Sequence, residues 1–429
     1  MFWAPPDRDG AGGMKGQVPA REGAIRIAHV ITGLETGGAQ RSLLSLIQAM
    51  DPAKFQSIVV SLKPLDSMSQ KFSEAGIEIH HLGIRKDPVS LLLGLARLCR
   101  IMETYRPHIM QGWMYHANVL CTLAQILLPG KPKVVWGIRH SLHDLTKEKR
   151  TTRWVIKLGA RLSRKADRIV YNAHSSAAHH RALGYNEDRE LVIPNGVDCE
   201  QFKPSEEARK WLRREVLGLE DNQFLVGMVA RFHATKGPDI FLEAASIVAR
   251  QRADVKFVMV GKGMDQRNEA LKSLIQANGI QSSIFFLGER SGMERIVPGL
   301  DVLCSPSRSE SFPNVVIEAM ACGVPCVVTD VGDSARIVGD CGLVVPKGNP
   351  EAIAAALVKV LDLHPREREG LGRKARERSK SFSLDRTKEM FAMLYESLVE
   401  AGRHALDSGS GSQQERPNEV PDVSLPWLE

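Results

Sequence analysis

The sequence predicts an α/β protein built from two doubly wound, Rossmann-like domains that face each other across a cleft. Three observations carry that expectation. From residue 25 onward, short β-branched runs alternate with helix-length segments, and the same alternation restarts after "PNGVDCEQFKP". Composition is that of an ordinary globular chain, with 43% apolar, 25% charged and 6% aromatic residues, which excludes a wholly disordered or collagen-like chain. Strand–helix alternation implies parallel sheets covered on both faces, and 429 residues suffice for two or three domains.

In chain order, residues 1–23 lack a continuous apolar core and are expected to be a disordered tail, not a signal peptide. Residues 24–198 form the first domain. Its strands are read from "IRIAHVIT", "FQSIVVSL", "GIEIHHL", "PHIMQGW", "PKVVWGIRH", "DRIVYNA" and "ELVIPNG". The chain is expected to hinge near residues 196–205. Residues 199–382 form the second domain, with strands "FLVGMVARF", "DVKFVMVGKG", "SIFFLGE", "LDVLCSP" and "VPCVVTD". A helix over 383–404 is expected to pack back toward the first domain. The Gly/Ser/Pro-bearing segment 405–429 is expected to be a disordered tail.

No apolar run reaches the ~20 residues that cross a bilayer. The longest candidate, "SLLLGLARLCRIM", holds Arg97 and Arg100 and reads as a buried helix. Seven cysteines are an odd, scattered set without C-x-x-C. They suggest small core residues in a reducing compartment, hence a cytoplasmic protein. Net charge is +7, and residues 147–168 alone hold nine Lys/Arg against two acids. There Trp154, Val155, Ile156, Leu158 and Leu162 are spaced for one side of a helix. That segment reads as a helix for an anionic membrane surface, or as a core-packed helix with a solvated basic face. No nucleic-acid motif accompanies it, so nucleic acid is not an expected partner.

Candidate site residues follow strands, where open parallel sheets place ligands. In "ITGLETGGAQRS", Gly37 and Gly38 open a helix, and a backbone without Cβ lets a phosphate approach the helix N-terminus. Its spacing is not that of a dinucleotide fingerprint. In "VARFHATKG", Arg231 and Lys236 could neutralise a diphosphate. In "SRSESFPNVVIEAMACGVPCVVTD", Pro313 suits the first position of a helix. Glu310 then lies in the preceding loop and Glu318 in the second turn. Val315, Val316, Ala319 and Met320 should face the core. A carboxylate among them needs hydrogen-bond donors, and a ribose diol supplies two.

"ESFPNVVIE" followed by "AMACGVPCVVTD" resembles the retaining glycosyltransferases of family four, which have the GT-B fold. "GGAQRS", "VIPNGVDCEQF", "VARFHATKG" and "VMVGKG" extend the resemblance in the family's order, over residues from about 25 to 400. Within the family the chain looks most like enzymes that build bacterial surface polysaccharides. The resemblance implies that Glu318 holds the nucleotide ribose and that Glu310 contacts the transferred sugar. Arg231, Lys236 and the Gly38 amide would bind the diphosphate, and the "PNVV" turn, with Pro313, Asn314 and Val315, would also reach the donor. It further implies a histidine near the transferred sugar. His140 suits that place best, with His116 and His143 as competitors, and its neighbour Arg139 is a candidate for the phosphate or the acceptor.

"DRD" at residues 7–9 is the sole D-x-D, so no metal and no cofactor are expected. The implied reaction moves a sugar from a nucleotide-diphosphate sugar to a glycan or lipid-linked glycan acceptor, with retention. That places the protein in the cytoplasm, either free or peripheral on the inner face of the cytoplasmic membrane. A sugar-nucleotide epimerase of similar architecture and a non-catalytic membrane-associated adaptor stay open as alternatives.

Overall fold

The computed structural model describes residues 23–35, 37–85 and 87–407. The expected tails and the D-x-D at 7–9 lie outside the described residues, except Gly23 and the last turn of the final helix. That helix runs Leu384–Asp407, three residues past the boundary expected at 404.

Seven parallel strands form the first sheet: β1 Ile25–Ile31, β2 Phe55–Ser61, β3 Glu78–His81, β4 Ile109–Trp113, β5 Lys133–Ile138, β6 Arg168–Tyr171 and β7 Glu190–Val192. Their order is β3-β2-β1-β4-β5-β6-β7. The second sheet holds β8 Phe224–Val229, β9 Val255–Val260, β10 Ile284–Gly288, β11 Val302–Ser305, β12 Cys326–Thr329 and β13 Gly342–Val345. It is also parallel, in the order β10-β9-β8-β11-β12-β13. β13 is an edge strand of four residues that the strand reading did not include. In both sheets the order reverses beside the first strand, between β1 and β4 and between β8 and β11. Each reversal opens a crevice at the carboxyl ends of the strands.

Near-continuous apolar runs make these central strands. In β1 every residue from Ile27 to Ile31 is buried, and β4 is buried throughout, as expected of strands covered on both faces. One face of the first sheet is covered by helices Gly38–Ala49 and Leu384–Asp407. Leu43, Leu46, Phe391, Leu394 and Tyr395 pack there with Ile27 and Ile31. The other face is covered by helices Pro88–Tyr105, Tyr115–Leu127 and Arg150–Leu162.

The chain crosses between domains twice, and the crossings pair with each other. Val197 donates its amide to the Phe382 carbonyl at 2.9 Å, and Leu384 donates to the Val197 carbonyl at 2.8 Å. Gly196 permits this approach, since a Cβ there would stand 2.6 Å from the Leu384 Cα.

Two helix expectations need correction. In Pro88–Tyr105 only Gly94, Leu98 and Met102 are buried, while Leu91, Leu92 and Leu93 are exposed, so this is not a buried helix. In Arg150–Leu162, Ile156 and Gly159 face the core, whereas Trp154 and Leu158 point outward. The five apolar positions therefore do not share one side. Residues 154 and 156 are about 200° apart around a helix, so burying one exposes the other.

Candidate functional site

The loop after β11 and the helix it feeds, Asn314–Ala321, carry the two glutamates. Pro313 is the N-cap and not the first helical residue. Val316, Ile317, Ala319 and Met320 are buried, and Val315 is half-buried against the same core. The amides of Asn314 and Val315 make no hydrogen bond with the described residues, whereas Val316 donates to the Pro313 carbonyl at 3.0 Å. The start of this helix thus presents two free donors toward the cleft.

Glu318 is half-buried, and its carboxyl group has no hydrogen-bond partner among the described residues. Burial pushes its pKa up to about 7; Arg41 opposes that shift and Glu294 adds to it. Arg41 belongs to the other domain. It lies one helical turn beyond Gly38, on helix Gly38–Ala49, so the charge of a first-domain cation acts on the glutamate of the second. Gly38 is the first residue of its helix. A Cβ there would meet nothing within 4 Å, so no neighbour among the described residues requires glycine at this position.

Glu310 lies deeper in the loop. Its Oε1 accepts from Ser307 Oγ at 2.8 Å and pairs with Lys236 Nζ. Lys236 closes the short turn Ala234–Lys236 that follows β8. Arg231, just beyond β8, is exposed and makes no ion pair with the described residues. Lys236 and Glu310 are thus brought together, and Arg231 stands free on the same loop.

The histidines divide differently. His140 lies two residues past β5, and its Nε2 is 3.0 Å from Glu148 Oε1 within the first domain. His143 Nε2 instead lies 3.4 Å from the Glu310 carbonyl oxygen across the cleft. His116 sits on helix Tyr115–Leu127 with its pKa lowered by burial and then by Lys63. Arg139 is held by neighbours of its own domain. Its guanidinium stacks 4.8 Å from the Trp113 ring centroid and donates to Asn195 Oδ1 at 2.6 Å, so it belongs to the packing beneath the cleft.

Sequence reasoning missed Arg41 and the polar contacts that join the domains. Asn195 Nδ2 donates to Asn314 Oδ1 at 2.7 Å, and Ser311 Oγ donates to Asn172 Oδ1 at 2.7 Å. Asp333 is buried, and its two carboxylate oxygens accept the amides of His174 and Ser175 at 2.8 and 2.9 Å. Those amides open helix His174–Ala182 in the other domain. A signal for Arg41 was present: three residues past Gly38 puts it on the same helical face. The domain-joining contacts had none, because each half is an ordinary loop residue until the halves meet. Among the described residues no three His, Cys, Asp or Glu side chains converge as a metal-ligand set. The arrangement as a whole offers cations and free amides for an anion, and an unpartnered carboxylate for hydroxyl groups.

Residues 36–201 match the family described as Glycosyltransferase Family 4, and residues 223–363 the one described as Glycosyl transferases group 1. A D-inositol 3-phosphate glycosyltransferase of Paenarthrobacter aurescens is 30% identical over 62% of this chain and 68% of that protein. The chain spans 57% and 54% of the length of two other relatives of that name. An Escherichia coli UDP-Gal:alpha-D-GlcNAc-diphosphoundecaprenol alpha-1,3-galactosyltransferase is 30% identical over 42% of this chain and 50% of that protein. The crystal structure of Anabaena HepE in complex with UDP and glucose superposes with a TM-score of 0.76 at 20% identity, covering 87% of this chain and all of that one. Two parallel sheets with interleaved helices, both family matches and this kinship place the chain in glycosyltransferase family 4, with the GT-B fold.

Proposed function

We propose that the protein transfers a sugar from a nucleotide-diphosphate sugar to an acceptor hydroxyl, with retention and without a metal. The observation that carries this reading is Glu318, a half-buried carboxyl group without a hydrogen-bond donor among the described residues, whose ionised form the charge of Arg41 in the other domain favours. A ribose diol would supply the two missing hydrogen bonds. Arg231, Lys236 and the amides at Gly38, Asn314 and Val315 would hold the diphosphate and stabilise the charge it gains as it departs. Glu310 and His140 are assigned to the transferred sugar, with Pro313 shaping the loop between the two glutamates.

In the proposed step the bond from the anomeric carbon to the diphosphate oxygen breaks while the acceptor oxygen bonds to the same face. The acceptor proton passes to the departing phosphate, so no protein nucleophile is required. The acceptor is a glycan or lipid-linked glycan of surface polysaccharide synthesis, met at the inner face of the cytoplasmic membrane. The Escherichia coli relative, named for a diphosphoundecaprenol-linked acceptor, supports that choice.

The test is thermal unfolding with UDP, GDP, ADP and CMP, each with and without chelator. A ligand at ~100 times its dissociation constant adds about 2.7 kcal/mol of stability. One diphosphate should raise Tm equally in both conditions, and its sugar conjugate should then yield a product of unchanged anomeric configuration by NMR. A shift abolished by chelator would sink metal independence; no shift with any nucleotide would sink the donor site.

A further inference from the structure

We propose that a small monatomic anion, chloride in the cell, binds beneath the cleft where the two domain crossings meet. The site is a cavity of about 10 Å³, room for a single group about the size of a water molecule. Three separate segments bound it. Ser42 and Ser45 belong to helix Gly38–Ala49, Asn195 and Gly196 to the first crossing, and Leu384 and Thr387 to the final helix. Arg139, just past β5, lines the same cavity and is the reason to expect an anion. Its guanidinium lies 4.8 and 5.7 Å from the ring centroids of Trp113 and Phe391, and its Nη1 donates to Asn195 Oδ1 at 2.6 Å. Its Nε is fully covered and has no hydrogen-bond partner among the described residues. No carboxylate among them pairs with it, and burial lowers its pKa to about 10, against the influence of Tyr395. Arg139 is thus a cation at neutral pH. A covered cation without a counter-charge is costly, and an orphaned N–H adds to that cost.

Two further donors border the cavity. Ser42 and Ser45 stand three residues apart, on one helical face, and neither hydroxyl makes a hydrogen bond with the described residues. Thr387 differs, because its hydroxyl already donates to the Pro194 carbonyl at 3.2 Å. Two hydroxyls, an N–H and a positive charge around so small a volume suit a halide. A water molecule could accept from the same donors but would leave the charge unopposed. Sulfate or phosphate exceeds the space. The ion would also complete a chain of contacts between the domains. It meets Arg139, Arg139 holds Asn195, and Asn195 Nδ2 donates to Asn314 Oδ1 at 2.7 Å, at the start of the helix that carries Glu318. This inference is independent of what the cleft itself binds.

The experiment is thermal unfolding of the full chain as sodium chloride or bromide replaces sodium gluconate at constant ionic strength, with bromide-soaked crystals read at the bromine edge. Tm should rise with halide and level off, as one-site binding to the folded state requires. General salt effects on apolar burial do not saturate in this way. Bromide should give an anomalous peak beside Arg139 Nε. Ser42→Ala with Ser45→Ala removes two hydrogen bonds to a charged group and should raise the half-saturating chloride concentration about tenfold or more. Arg139→Met should make Tm independent of halide. Should that variant fail to fold, the serine pair, on a half-buried helix face, carries the test. A wild-type Tm equal in chloride and gluconate, an unchanged midpoint in the serine pair, or the same saturable rise with sulfate would overturn the proposal. So would bromide peaks confined to the protein surface, which would mark an adventitious ion only.

Discussion

Glu318 carries a carboxyl group that burial holds protonated up to about pH 7. Its ordinary value is 4.5, so the folded state binds this proton more tightly than the unfolded chain does. The stability it contributes is present below the unfolded value and is lost as pH rises through about 7. The change is on the order of 3 kcal/mol. Glu318→Gln should flatten that loss between the two values, as read by urea unfolding across pH. A ribose needs the ionised carboxylate as acceptor, so nucleotide affinity in the wild type should rise with pH through about 7. The Gln variant should retain only the titration of the ligand's own phosphate. Equal pH profiles for the two proteins would remove Glu318 from the ribose site.

Gly38→Ala asks the converse question. Open space around the missing Cβ predicts unchanged Tm, together with a loss of about tenfold in nucleotide affinity, or ~1.4 kcal/mol. Undiminished binding in a folded variant would show that no phosphate approaches there. At this scale the placement of the candidate residues was legible, because Glu310, Glu318, Arg231 and Lys236 follow β11 and β8 in sequence and in space. Rank among the histidines was not. His140 and His143 share one loop, and only the fold decides that the first meets Glu148 and the second meets Glu310. Activity of His140→Ala against His143→Ala measures which one matters. The larger kcat loss is expected from His140, and the reverse order would move the sugar-facing role to His143.

At the scale of elements, helix His174–Ala182 has its N-terminus capped by a residue far along the chain. No side chain of its own N-cap, Ala173, can accept a hydrogen bond, and Asp333 supplies both acceptors from the second domain. A carboxylate there also meets the positive end of the helix dipole. Asp333→Ala should cost about 2 kcal/mol in denaturant unfolding, the upper range for a lost cap, while Asp333→Asn should recover part of that cost. A neutral Asp333→Ala would mean that the contact adds nothing to domain adhesion. Elements were legible where hydrophobic period and length agreed, as in β1, β4 and β9. β13 escaped the strand reading because it is a four-residue edge strand whose apolar run hardly exceeds a turn. The outward-facing leucines of Pro88–Tyr105 escaped because a run apolar on every side reads as buried. Only the fold reveals that one side stays exposed among the described residues.

For the whole molecule, the last helix belongs to the first domain although the chain reaches it after completing the second. Phe391, Leu394, Tyr395 and Leu398 are buried against the first sheet, and the Tyr395 hydroxyl bonds Gln111 of β4. The two-domain plan was legible from the repeated strand–helix alternation, but the pairing of the two crossings at Val197 and Phe382 was not. It depends on a contact between segments 185 residues apart, for which a single sequence holds no signal. Ending the chain at Ser383 should therefore damage a domain that the cut does not touch. Each of those four side chains contributes about 1.5–3 kcal/mol on burial, against a total stability of roughly 5–15 kcal/mol for a domain. The truncated protein should expose the face that held them, bind a hydrophobic dye and lose cooperative unfolding of the first domain. The second domain lacks these contacts in its core and should keep its own transition. A truncated chain with two intact transitions would show that the final helix only decorates the first sheet.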